Sequence, residues 1–152
     1  MQLDPIDKAL LRELQRDTRQ TTKALSVKIG LSPTAVYERI RKLEQSGVIA
    51  RHVALLDPVK VERGLKVFCQ IRLDQHIREQ VQAFEREVAG LEEVVSCYHI
   101  GGAYDYILEI CVADMDAYRE FMVGKLTAIK HIGSTQSSFV ISQVKQTTEL
   151  PL

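Results

Sequence analysis

The sequence predicts an α+β protein in two parts, and three observations carry that prediction. The first fifty residues hold apolar positions at helical spacing only. Beyond residue 65, stretches that alternate with period two take turns with stretches of period 3.6. Between them lies "DPVKVERG" (57–64), a Pro-, Gly- and charge-rich stretch that suits a hinge.

Composition narrows the class further. The 152 residues are 45% apolar and 26% charged, values of an ordinary globular chain rather than a disordered or fibrous one. No apolar run approaches the ~18–20 residues a membrane span needs. The start, "MQLDPIDKALL", lacks a basic region followed by an apolar one, so it does not read as a secretory signal. Cys69, Cys97 and Cys111 are odd in number and far apart, which favours a reducing compartment over a disulfide framework. The expectation is a cytoplasmic protein with no membrane partner. A net charge of zero hides an asymmetry: residues 1–60 hold 11 Lys/Arg against 7 Asp/Glu, and the remainder has the opposite excess. Such a split hints that the N-terminal part meets a polyanion.

In "LDPIDKALLRELQRD", Ile6, Leu10 and Leu14 fall on one helical face, with Asp4 suited to the N-cap and Pro5 to the first helical position. "TTKALSVKIG" reads as a short second helix, with Thr22 as N-cap, Leu25 and Ile29 inward and Gly30 as the stop. Ser32 caps a third helix that starts at Pro33, buries Val36, Ile40 and Leu43, and ends at Gly47. Two short helices joined by "IGLS", with another packed beneath, form a helix-turn-helix pattern.

With Val36, Ile40 and Leu43 inward, the other side of the third helix offers Thr34, Ala35, Glu38, Arg39 and Lys42. Small hydrogen-bonding residues at its start and bases further along suit a helix laid in the major groove. A solvated helix in a three-helix bundle is the other reading that periodicity allows. "VIARHVALLD" (Val48–Asp57) reads as a strand or wing carrying Arg51 and His52.

The second part reads as β-α-β-β-α-β. "LKVFCQIRL" alternates with Val67, Cys69, Ile71 and Leu73 on one face. "IREQVQAFEREVAG" puts Ile77, Val81, Phe84 and Val88 at helical spacing. "EVVSCYHI" and "YILEICVA" are strands joined by "GGAYDY", and "MDAYREFMVGKLTAIK" is a helix burying Met115, Tyr118, Met122, Leu126 and Ile129. "SSFVISQVK" is the last strand and "QTTELPL" an extended tail. That order is the ferredoxin-like unit, an antiparallel sheet with two helices on one side. Phe68, Val95 and Ile107 leave apolar residues on the face without helices, so a second copy is the simplest cover.

Catalytic and metal chemistry find little support. Cys97 and His99 lie two apart on a strand, without the three or four convergent ligands of a metal site. Asp105 and Glu109 share a strand face but make too weak a case for paired-carboxylate catalysis. "GGAYD" lacks the flanks of a dinucleotide-binding loop. No catalytic residue, metal ligand or cofactor is assigned. "IGGAYDY" (Ile100–Tyr106) is either a tight turn or a small-molecule pocket, in which backbone amides meet a carboxylate and Asp105 meets an ammonium group.

Four stretches together, "LDPIDKALLRELQRDTR", "LSPTAVYERIRKLEQSGVI", "GGAYDYILEICVADMDAYREF" and "TQSSFVISQVKQTTELPL", resemble the leucine-responsive/AsnC (feast/famine) transcriptional regulators, in that family's order and over nearly the whole chain. The resemblance implies a winged helix-turn-helix DNA-binding domain (1–52), a linker (53–64) and a ferredoxin-like effector-binding and oligomerisation domain (65–152). It implies a homodimer that assembles further, up to an octamer, with an amino acid bound between dimers. Carried over by position, Gly102, Tyr104 and Asp105 match the effector loop, and Thr135 and Ser137 match a Thr-x-Thr/Ser pair at the last strand. Here the second member of the pair is Ser, and "KHIGSTQ" stands where the family usually has Pro-Gly-Val.

The expected function is a transcriptional regulator that binds double-stranded DNA and whose assembly and DNA binding respond to a small effector, an amino acid. Thr22, Ser32, Thr34, Ala35, Glu38, Arg39, Arg41, Lys42 and Arg51 are the expected DNA contacts, with Arg41 and Arg51 on phosphates. The competing expectation is a ferredoxin-like metabolic enzyme or ligand sensor whose helical bundle binds no DNA.

Overall fold

The computed structural model describes residues 2–152, which form two compact units: residues up to Leu55 together with Val144–Leu152, and Leu56–Gln143.

The first unit is built on α1 (Pro5–Arg16), α2 (Thr22–Ile29) and α3 (Pro33–Gln45). Asp4 starts α1 with a reciprocal cap: its carboxylate accepts the Asp7 N–H at 2.7 Å, and the Asp7 carboxylate accepts the Asp4 N–H at 3.2 Å. Two otherwise orphaned donors of the first turn are thereby satisfied. Thr21, not Thr22, caps α2, accepting the Ala24 N–H at 3.1 Å; Thr22 is its first helical residue. Two adjacent threonines present the same hydroxyl, and only the backbone exit from residue 20 decides which stays extended. Ser32 caps α3 through the Ala35 N–H at 3.2 Å. The three helices close over Leu10, Leu11, Leu14, Leu25, Val36 and Leu43, with Ile29 and Ile40 packed at the edge. Each such side chain removed from water stabilises the fold by ~1.5–3 kcal/mol. Leu11 was missing from the expected face, whereas Ile6 is only half-buried.

Residues 48–57, expected as a strand or wing, form none. A strand needs a hydrogen-bonded neighbour, and no other strand of the described chain pairs with this segment. Its Val53, Leu55 and Leu56 are exposed.

The second unit has β1 (Leu65–Leu73), α4 (Arg78–Ala89), β2 (Val94–His99), β3 (Tyr106–Val112), α5 (Met115–Gly124), a 3-10 turn (Leu126–Ala128) and β4 (Ile132–Phe139). The sheet order is β2-β3-β1-β4 and every pair is antiparallel, the expected ferredoxin-like topology. Val67, Cys69, Ile71 and Leu73 of β1 and Tyr106, Leu108, Ile110 and Val112 of β3 are buried together under Phe84 and Val88 of α4 and Tyr118 and Phe121 of α5. The last helix stops six residues short of the end expected for it at residue 130. Gly124 ends α5, and Leu126 and Ile129 reach the core from the turn that follows.

The last strand begins at Ile132, five residues before the expected start, because the polar run "GSTQ" pairs with β1 at the sheet edge. Between Arg72 and Leu73 the pairing slips, so that Gly133 is skipped. A Cβ at Gly133 would lie 3.2 Å from the Asp74 backbone nitrogen, so a side chain there would have to push the neighbouring strand end back by a few tenths of an ångström.

Candidate DNA-binding and effector sites

Helix α3 carries the candidate DNA surface. At about 100° per residue, Thr34, Glu38, Arg41, Lys42 and Gln45 lie about 130° or more from the middle of the arc set by Val36, Ile40 and Leu43. All five side chains are exposed. Tyr37, beside them, is 55% exposed. Neither Tyr37 nor Gln45 is among the residues singled out from the sequence; the angular count finds Gln45, whereas Tyr37, about 90° from the middle of the arc, shows itself only by its exposure.

Arg39 lies on a different side. It sits roughly 70° from the middle of the buried arc, and its Nη1 donates to Asp4 Oδ2 at 2.8 Å and Asp7 Oδ1 at 2.7 Å. The Asp4 bond, then the Asp7 bond, hold the guanidinium charged, raising its pKa further. Asp4 is held below the usual carboxylate range by the Asp7 N–H first and by Arg39 next. This expected DNA contact is therefore occupied in tying α3 to the start of α1. Ala35, read as part of the outer face, is half-buried on that same flank. Ser32 spends its hydroxyl on the cap, and Arg51 is exposed in the segment after α3, where His52 Nε2 lies 3.0 Å from Glu44 Oε1.

The other candidate site is the β2–β3 loop. The Ile100 N–H donates to the Asp105 carbonyl at 2.8 Å, and the Asp105 N–H donates to the Ile71 carbonyl at 2.8 Å. Asp105 Oδ2 accepts the Leu73 N–H at 2.8 Å, while Oδ1 lies 2.8 Å from His76 Nε2. The Leu73 amide foremost, and then His76, hold this carboxyl below its ordinary range. Asp105 thus ties the loop to the end of β1, with two of a carboxylate's roughly four acceptor positions filled.

Arg72 and Gln136 complete the loop's surroundings. The Arg72 guanidinium donates to the Ala103 carbonyl through Nε at 2.8 Å and Nη2 at 2.5 Å, and its Cζ lies 5.2 Å from the Tyr104 ring centre. The Tyr104 hydroxyl donates to Gln136 Oε1 at 2.6 Å, joining the loop to β4. Gly102 has φ +143°, where a side chain is strained, and a Cβ there would meet open space.

The register separates the expected effector residues. Thr135 pairs with Ile71 and Ser137 with Cys69, so both sit on the helix-covered face, whereas Gln136, which holds Tyr104, is on the other. Ser137 Oγ is 2.5 Å from the Tyr118 hydroxyl. Arg72, His76 and Gln136 were not singled out in the sequence, although Arg72 is a charge at an outward position of an otherwise regular strand and Gln136 lies between the expected pair.

Residues 3–44 match the family model described as the AsnC-type helix-turn-helix domain, and residues 66–150 match that of the Lrp/AsnC ligand binding domain. The leucine-responsive regulatory protein of Escherichia coli (strain K12) is 38% identical over 148 residues, 97% of this chain and 90% of its own length. A solved AsnC family transcriptional regulator from Agrobacterium tumefaciens is 42% identical with a TM-score of 0.94, covering 98% of this chain and 97% of that one. A transcriptional regulator from Neisseria meningitidis, solved as an L-Met complex, is 33% identical with a TM-score of 0.95, covering 99% of this chain and 97% of that one.

Proposed function

The chain belongs to the Lrp/AsnC family of DNA-binding transcriptional regulators, and from that premise we propose which of its residues read DNA and which sense the effector. The outward face of α3 enters the major groove. Thr34, Tyr37, Glu38 and Arg41 face base edges, and Lys42 and Arg51 face phosphates. The observation that carries this assignment is the exposure of Thr34, Tyr37, Glu38, Arg41 and Lys42 on a helix whose other faces are committed to the core and to α1, with Arg51 exposed in the segment that follows.

The effector is an amino acid held at the β2–β3 loop. A zwitterion needs both donors and acceptors, because burying either charged end unpaired costs several kcal/mol. The amides near Gly102 supply donors, and the open acceptor positions of Asp105 suit an ammonium group. The L-Met complex of the Neisseria meningitidis regulator supports this ligand class.

The working form is a homodimer that assembles further, toward an octamer. Phe68, Tyr98 and Ile107 stand on the sheet face without helices, around the Lys66–Glu109 pair at 2.7 Å. The exposed apolar Val53, Leu55 and Leu56 call for the same cover.

A thermal-shift screen against the twenty amino acids tests the effector reading. A ligand that binds only the folded protein raises stability by ~2.7 kcal/mol at a hundred times its Kd. An absence of any shift across all twenty would overturn the amino-acid assignment.

A further inference from the structure

Helix α1 uses its outer face to hold a piece of the chain from far away. Arg12, Gln15 and Arg16 share that face by their spacing, opposite the buried Leu10, Leu11 and Leu14. The Gln15 side-chain amide grips one residue at both ends: its Oε1 accepts the Leu150 N–H at 2.6 Å, and its Nε2 donates to the Leu150 carbonyl at 3.1 Å. Arg12 donates to the Leu152 carbonyl through Nε at 2.9 Å and also through Nη2. Arg16 Nε lies 3.9 Å from Glu149 Oε2. Leu150 itself is 70% exposed. Main-chain hydrogen bonds rather than burial therefore hold the segment, the manner in which extended peptides are captured.

This segment is continuous with the strand that meets the effector loop. Gln136, which accepts the Tyr104 hydroxyl, lies on β4, and β4 ends at Phe139. Only 140–148 separate the end of β4 from the docked residues, and a fully extended chain covers at most ~3.3–3.6 Å per residue. The docked residues are thus joined to β4 by a short leash, and the helix that holds them also anchors Arg39 of α3.

We propose that the outer face of α1 is a peptide-docking surface occupied by residues 149–152 of this protein, and that this docking transmits the state of the β2–β3 loop to the DNA-binding unit. The second half rests on the effector reading above. The docking half does not. Because an effector acts only through its differential affinity for two states, a loosened tail weakens the coupling without removing either site.

The test uses the full chain with Gln15→Ala, and with Leu150→Pro, which removes the same hydrogen bond from the other side. Hydrogen exchange reads the Leu150 amide, protected in the parent protein and about fivefold faster in Gln15→Ala, the factor one lost hydrogen bond supports. Operator affinity is then titrated with and without L-methionine and L-leucine. Both variants keep basal affinity within about twofold, as surface substitutions do, while the amino-acid effect shrinks by about fivefold, the lower end of allosteric couplings. An unprotected Leu150 amide in the parent protein overturns the docking surface. Protected docking with an undiminished response in both variants overturns the coupling. A parent protein that docks its tail but answers to neither amino acid overturns the coupling to these two ligands, and leaves the docking surface standing.

Discussion

The Nη1 of Arg39 lies 2.7 Å from Asp7 Oδ1, and the Asp7 carboxylate also closes the cap at the start of α1. One buried acid thus fixes the first turn of α1 and the flank of α3 together. Asp7→Asn removes the charge while keeping a polar group of similar shape. It is expected to destabilise the first unit by about 1–2 kcal/mol, toward the low end of the ~1.5–3 kcal/mol of hydrogen bonds to charged groups because Arg39 is partly solvated. Arg39→Ala has the same origin, and the double variant loses little more than either single one. Chemical denaturation of the four proteins measures this, and additive losses would mean that the two side chains act independently.

Removal of Arg39 lowers DNA affinity only through the placement of α3, so specific and random duplexes suffer alike. Arg41→Ala instead discriminates, costing ~1–3 kcal/mol on the specific duplex if its fork meets a guanine edge. Lys42→Ala weakens all duplexes and flattens the salt dependence by about one unit. Mobility shifts at several salt concentrations separate the three. A larger specificity loss from Arg39→Ala than from Arg41→Ala would make Arg39 the base contact instead.

The difference between those two arginines marks how far the sequence could be read. Periodicity finds the buried Val36 and Leu43 because burial is set by spacing, and the alternating Val67, Cys69, Ile71 and Leu73 are found in the same way. The flank of a helix is harder, since whether Arg39 meets water or a carboxylate depends on where α1 crosses it. The loop residues Gly102, Tyr104 and Asp105 stand out by type, yet their partners Arg72, His76 and Gln136 come from two other segments that only the register brings near. Polar "GSTQ" hides the start of β4 for a related reason. An edge strand is held by main-chain pairing to β1, which asks nothing of its side chains.

Asp105 gives a pH prediction. The folded protein holds its carboxyl below the ordinary value of 3.8, so the associated stabilisation is complete above that value and is lost as pH falls through the lower folded value. A carboxyl-carbon NMR titration is expected to show the midpoint below 3.8. In His76→Ala the midpoint rises but stays below the ordinary value, because the Leu73 N–H bond at 2.8 Å remains. A complete return to the ordinary value would assign the whole effect to His76.

Gly102 decides whether the loop fails by strain or by blockage. At φ +143° any Cβ strains the backbone, yet the position faces open space, so a substituted residue collides with nothing in the unliganded protein. Gly102→Ala is therefore expected to cost ~1–3 kcal/mol by backbone strain alone. The chain relieves that strain by rotating out of this region, which draws the Ala103 carbonyl from Arg72 and the Tyr104 hydroxyl from Gln136. Any thermal shift from a bound amino acid then falls in Gly102→Ala almost as far as in Gly102→Thr. Blockage predicts another pattern, in which the small Ala side chain leaves the shift nearly intact and only Thr removes it. Thermal unfolding of both variants, with and without L-methionine, distinguishes the two. An Ala variant as stable as the parent would show that the loop tolerates a side chain there and that its conformation is not what glycine secures.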